Sequence, residues 1–146
     1  MSKRSFFAVF VGSVVAIVLS YLLETGFEFH LISSHDVLTL TDPARQQRLL
    51  NAIESSADLA AGQLIILVAS GVVGGYITAS IADRRRIVIC LLASILPLAA
   101  NALSFLPAIW LGWRLVSTVA VIGTPSWFAL GGYLRVLQLR WRPGQA

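Results

Sequence analysis

Four stretches of this chain carry no charged side chain and are long enough to cross a lipid bilayer as helices. They are Phe6–Leu23, Leu59–Ala82, Ile87–Leu106 and Leu115–Leu134, of 18, 24, 20 and 20 residues. A hydrocarbon core about 30 Å thick takes about 20 helical residues, within a range of roughly 17–25. Spanning strands would need only about 9–11 residues and strict alternation of apolar and polar side chains, and these runs do not alternate. The chain is 57% hydrophobic and 12% charged, against roughly 45–50% and about 25% in a soluble domain. So few charges cannot cover a water-facing surface, and the excess apolar side chains must face lipid or a partner. The reading is an all-α integral membrane protein, a four-transmembrane-helix bundle, with residues 1–146 forming a single membrane domain.

A cleaved leader is the competing reading of the first run, with Lys3 and Arg4 as its basic start. The run is longer than a leader's apolar segment, and no small-x-small cleavage site follows it. It is read as a retained helix that ends at Glu24-Thr25-Gly26-Phe27.

Orientation follows from the bias of Lys and Arg toward cytoplasmic loops. With the N-terminus inside, Lys3, Arg4, Arg84, Arg85, Arg86, Arg135, Arg140 and Arg142 are cytoplasmic and only Arg45, Arg48 and Arg114 lie outside, a split of 8 to 3. The expectation is a multi-pass protein of the cell inner (plasma) membrane, both termini cytoplasmic, with a cytoplasmic tail over 135–146. The net charge of +4 comes from these flanking clusters. No basic stripe with interleaved aromatics accompanies them, so nucleic-acid binding is not expected.

The connections differ in length. Asp83–Arg86 is a tight cytoplasmic turn that makes the second and third spans antiparallel neighbours. Pro107 to Arg114 is a short outer turn whose Trp110 and Trp113 suit the headgroup belt. The long connection is the extracytoplasmic segment 24–58. In it, Asp42-Pro43 reads as an N-cap followed by proline in the first helical position. Leu49, Leu50, Ile53 and Ala57 then recur at helical spacing, with Arg45, Arg48 and Glu54 among them. This predicts an amphipathic helix from Pro43, with a bend at Ser55-Ser56 before the second span. Thr25–Thr41 reads as irregular or as short extended pieces.

Small residues recur at helical spacing inside the spans. Ala8, Gly12, Ala16 and Ser20 fall four apart in the first, and Gly71, Gly75 and Ala79 in the second, beside Ser70, Gly74 and Thr78. Such stripes let backbones approach closely, which matters in lipid because apolar burial does not itself drive helix association there. They serve packing within one bundle, or docking of another membrane subunit or a second copy. Gly74-Gly75-Tyr76-Ile77 is echoed by Gly131-Gly132-Tyr133-Leu134, which adds Gly131 and Gly132 to the helix-contact candidates and allows a two-fold repeat of helix pairs. In the third span Ala93, Pro97 and Asn101 share a face, and the fourth carries Thr124-Pro125-Ser126. Proline removes a backbone hydrogen bond and frees a carbonyl that a neighbour must satisfy. Two kinked helices shape a static bundle, or open a lateral pocket for lipid or a small hydrophobic ligand. Gln63, near the outer end of the second span, is placed to bond Asn101 as a polar clasp.

No Asp, Glu, Lys, Arg or His lies inside the four runs. That argues against ion-coupled transport through a membrane carboxylate, against haem or chlorophyll on membrane histidines, and against an intramembrane protease. The one cysteine, Cys90, permits no intramolecular disulfide and reads as a small apolar packer. Glu28, His30, His35 and Asp36 are the remaining outer-face site candidates, at a spacing that matches no metal-ligand pattern. The expectation is therefore a non-catalytic protein without metal or cofactor, an accessory or scaffolding subunit packed against other membrane proteins or itself in the bilayer. The alternative is a homo-oligomeric transporter, channel or lipid-handling protein that uses no intramembrane charge.

Overall fold

The structure is a computed structural model. It describes residues 2–35, 37, 40–54, 56–83, 85–110 and 114–141, with the side chains of all these except residues 54, 58, 104–110, 114–118 and 120. Among the described residues the chain is all-helical and has no strand. The helices are α1 (Lys3–Ser34), α2 (Pro43–Glu54), α3 (Ala57–Ile81), α4 (Arg86–Ala93), α5 (Ile95–Trp110) and α6 (Arg114–Arg140). Three stretches, Lys3–Ser34, Leu59–Ile81 and Arg86–Leu103, are long and apolar enough to cross a membrane by length and composition. Large apolar side chains such as Phe6, Phe10, Val18, Ile65 and Leu103 point outward along them.

The helix α1 continues past the expected end at Glu24–Phe27 and stops only at His35. The reading of 25–34 as irregular is thereby corrected. Gly26 weakens a helix by only about 1 kcal/mol relative to alanine, and no proline occurs before Pro43. The local polar groups also serve the helix, with Thr25 Oγ1 donating to the Tyr21 carbonyl at 2.8 Å. The ring of Phe27 lies over Gly62 of α3, so the extension has a partner to pack on. At the other end Ser2 caps the helix by accepting from the Ser5 amide at 3.1 Å.

Asp42 caps α2 as its sequence implies, accepting from the Ala44 amide at 3.0 Å, with Pro43 as the first helical residue. Arg45 and Arg48 are exposed, whereas Leu49 and Leu50 are half-buried and Ile53 is buried. The chain breaks after Glu54, and Ser56 begins α3 by accepting from the Leu59 amide at 3.2 Å. The two helices are thus separate elements, and Ser55 of the expected bend lies outside the described residues. Between α3 and α4 the turn is tight enough to hold Arg85 at φ 49°, in the left-handed region.

At the centre α3 packs against both α1 and α6. The glycines explain how one helix serves two neighbours. A Cβ on Gly74 would strike Ala16 and the Gly12 carbonyl of α1, while a Cβ on Gly75 would strike the α6 backbone at Phe128. The echo in α6 works the same way. Gly131 lies against the α3 backbone at Val72 and Tyr76, and Gly132 lies against Cys90 of α4. Each Gly-Gly pair turns one glycine to each of two adjacent helices. Around these crossings Ala16, Ala79, Cys90, Ala93 and Phe128 form one buried cluster, and Ala8, Ala82 and Ile89 another.

The third run passes from α4 to α5 at Ser94, which keeps right-handed helical backbone, its N–H bonding to the Cys90 carbonyl at 3.0 Å and its carbonyl accepting from the Leu98 N–H at 2.8 Å. Pro97 falls in the first turn of α5, where its missing N–H would deprive the carbonyl four residues earlier, Ala93. That carbonyl accepts instead from Ser13 Oγ of α1 at 2.7 Å, a single hydrogen that Ser13 shares with the Val9 carbonyl, also at 2.7 Å. The sequence required a neighbour to satisfy the freed carbonyl, and the structure supplies it from the first helix.

Candidate functional site

Beyond Ser94 the helices diverge. The short helix α4 packs on α1, α3 and α6, whereas α5 stays with α6 and keeps only sparse contact with α1. The space left between α1, α3, α5 and α6 is a cavity of about 290 Å³. A single water needs only about 10–15 Å³ by the same measure, so the volume is molecular in scale, near the lower end of ligand sites.

The cavity wall is graded. One part of it is mostly apolar, with Ala16, Ile17, Leu67, Gly71, Pro97 and Phe128, and its Ser70 hydroxyl is spent on the Leu67 carbonyl at 3.1 Å. Toward the far end of the bundle it becomes polar, with Ser20, Tyr21 and Glu24 from α1, Gln63 from α3, and Asn101 and Thr124 across from them. Asn101 Nδ2 donates to Thr124 Oγ1 at 3.1 Å. The polar clasp of the third span thus joins α5 to α6, and Gln63 faces the cavity without bonding Asn101 as the sequence suggested. Glu24 is half-buried, and Ser20 Oγ donates to its Oε1 at 2.9 Å.

Glu24 is the residue that sequence reasoning assigned to a loop. The exclusion of any carboxylate from the helical interior rested on a first helix ending at Leu23, and α1 does not end there. The signal was present in the spacing: Ala8, Gly12, Ala16 and Ser20 fall four apart, and the next position is Glu24. Likewise Ala79, Gly75 and Gly71 of α3 lead through Leu67 to Gln63. The packing faces of both helices become the cavity wall where their small residues give way to polar ones.

The helix-contact candidates are consumed inside the chain. Ala8, Gly12, Ala16, Gly71, Gly75, Ala79, Gly131 and Gly132 are all buried, and Ser20 lines the cavity. The outer-face candidates do not converge. Glu28 and His30 are exposed on α1, about 200° apart around it at 3.6 residues per turn. His35 ends the helix with Nδ1 at 2.9 Å from the Leu31 carbonyl, and Asp36 lies outside the described residues. Among the described residues no three His, Cys, Asp or Glu side chains come together as a metal site. Trp113 also lies outside the described residues, as does the side chain of Trp110.

A second polar cluster occupies the opposite end. Arg4 Nη1 meets Asp83 Oδ1 at 3.1 Å, joining the start of α1 to the α3–α4 turn. Tyr76 donates its hydroxyl to Gln138 Oε1, which also accepts from Arg135 Nη1 at 2.6 Å. The Arg135 guanidinium stands 5.6 Å over the Tyr76 ring. The start of α1 and the end of α6 therefore lie at the same end of the bundle. No protein-family model, curated protein or solved structure matches the chain, so a functional reading has to come from its geometry.

Proposed function

We propose that this chain is a non-catalytic, multi-pass protein of the cell inner membrane that holds a small amphiphilic molecule in the cavity between α1, α3, α5 and α6. In this reading α6 is the fourth span, both termini are cytoplasmic, and the Arg4–Asp83 end is the cytoplasmic one. The role is that of a lipid-handling protein or transporter. The observation that carries it is the graded cavity of about 290 Å³, mostly apolar in one part and polar toward Glu24, Gln63 and Asn101. A head and a tail of one small molecule match that gradient. The small-residue stripes, which motivated a scaffolding role in the sequence, are already occupied by the chain's own helices.

Saturable uptake of hexanol by the full-length protein in phosphatidylcholine nanodiscs tests this, with protein-free discs subtracted. Replacing Ala100, a cavity-wall residue, by tryptophan should abolish it. Uptake that never saturates, or that Ala100→Trp leaves intact, refutes the reading.

An accessory subunit that packs against other membrane proteins is the second reading. It is favoured by one face of α1, where Phe7, Phe10, Val14, Val18 and Tyr21 recur at intervals of three and four and are all exposed. Recovery from native membranes in mild detergent should then bring down a stoichiometric partner through this face. A lone monomer argues against it.

A further inference from the structure

We propose that the cavity selects a cation, an ammonium- or guanidinium-bearing amphiphile whose positive head is held by the Glu24 carboxylate. This rests on the cavity being a ligand site, and it adds the chemical class of the ligand. Among the described residues that line the cavity, Glu24 is the one carboxylate or base. Among the described side chains it has no cationic partner, and its bond is the one from Ser20 to Oε1. A carboxylate offers about four acceptor positions on its two oxygens, so most of its capacity is unspent.

The surrounding groups suit the same sign. Asn101 commits one of its two amide N–H groups to Thr124 and also presents a carbonyl oxygen as an acceptor. Gln63 lines the wall from α3 and has a carbonyl oxygen of its own. An ammonium is a donor with no acceptor, and it meets acceptors on several sides here. An anionic head would meet Glu24 with no cationic side chain among the described lining residues to offset it. The apolar tail then occupies the part bounded by Leu67 and Phe128.

Three probes with one tail decide the matter: hexylammonium, hexanol and hexanesulfonate, each titrated by equilibrium dialysis against the full-length protein in phosphatidylcholine nanodiscs. The native protein should bind hexylammonium about tenfold more tightly than hexanol, a difference of about 1.4 kcal/mol, and hexanesulfonate most weakly. In Glu24→Gln the ratio of hexylammonium to hexanol affinity should fall to about one. In Glu28→Gln, one turn further along and exposed outside the cavity, the ratio should stay within about twofold of native. Equal binding of the three probes by the native protein overturns the cation assignment while leaving the cavity reading intact. A preference that survives Glu24→Gln overturns it too. Absence of saturable binding by any probe removes the cavity reading and this inference together. The comparison of the three probes on native protein needs no variant, so it holds even if Glu24→Gln does not fold.

Discussion

Gly75→Ala adds one methyl group at the crossing of α3 and α6, and the structure says what it meets. The new Cβ would stand 2.8 Å from the carbonyl carbon and the Cα of Phe128, with the Phe128 carbonyl oxygen closer still. These are backbone atoms and cannot rotate away. Restoring a carbon–carbon separation of roughly 3.5 Å moves the two helices apart by at least about 0.7 Å, and a gap of that size forfeits about a quarter to a half of the dispersion energy of the facing atoms. Overpacking of this kind costs about 1–3 kcal/mol, and alanine returns up to about 1 kcal/mol through its helix propensity. The expected net effect is a loss of about 1–2 kcal/mol. Gly26→Ala provides the control. A Cβ there meets nothing within 4 Å, so the same chemical change should stabilise by about 0.5–1 kcal/mol. Reversible unfolding in mixed micelles of dodecylmaltoside and sodium dodecyl sulfate reads both. Shifts of the same sign for the two variants, or a Gly75→Ala protein as stable as the native one, would refute the backbone crossing.

Ser13→Ala should cost about 1–2 kcal/mol in the same assay, because it strips the donor from the buried Ala93 carbonyl. The loss should shrink in a Pro97→Ala background, where a backbone N–H returns, and strict additivity in that double-mutant cycle would contradict the assignment. Arg85→Gly should stabilise by up to about 1 kcal/mol, since a φ of 49° strains any residue with a Cβ; a loss would show that the arginine side chain matters more than its backbone. Arg4→Ala should cost less than about 1 kcal/mol, the pair with Asp83 being exposed at 76% and 51% of the two side chains, and a larger drop would mean that the pair orders the end of the bundle.

Much of the fold was legible because it follows from composition and spacing. The uncharged runs mark the long helices, Asp42-Pro43 marks the start of α2, and Ser55-Ser56 marks its end. The demand that Pro97 makes on a neighbour could also be read from the sequence, but not that Ser13, 80 positions away in helix α1, would meet it. The end of α1 was misread because an apolar run ends where charge begins, and a helix need not. Glu24, Thr25, Gly26 and Phe27 are a change of solvent preference along a continuous backbone, and the contact of Phe27 with Gly62 that sustains it is tertiary. The cavity was not legible for the same reason. Pro97 and Pro125 pointed to a lateral pocket as one of two outcomes, but its walls come from four helices whose relative height no local pattern sets.

The unequal packing along the bundle bears on how any occupant of the cavity would move. From Phe128 toward the Arg4–Asp83 end, α3 touches α1 and α6 backbone to backbone at Gly74 and Gly75, and Gly132 closes on Cys90. Tyr76, Arg135 and Gln138 tie the last turns of α6 to α3 beyond that. A straight passage through one copy of the chain would have to separate crossings where glycine was needed to let the helices meet at all. Toward the other end the constraint relaxes, because α5 has turned away from α1 and the wall is made of side chains rather than backbone. An occupant held as proposed would therefore meet the backbone crossings on the Arg4–Asp83 side of the cavity and side chains on the Glu24 side.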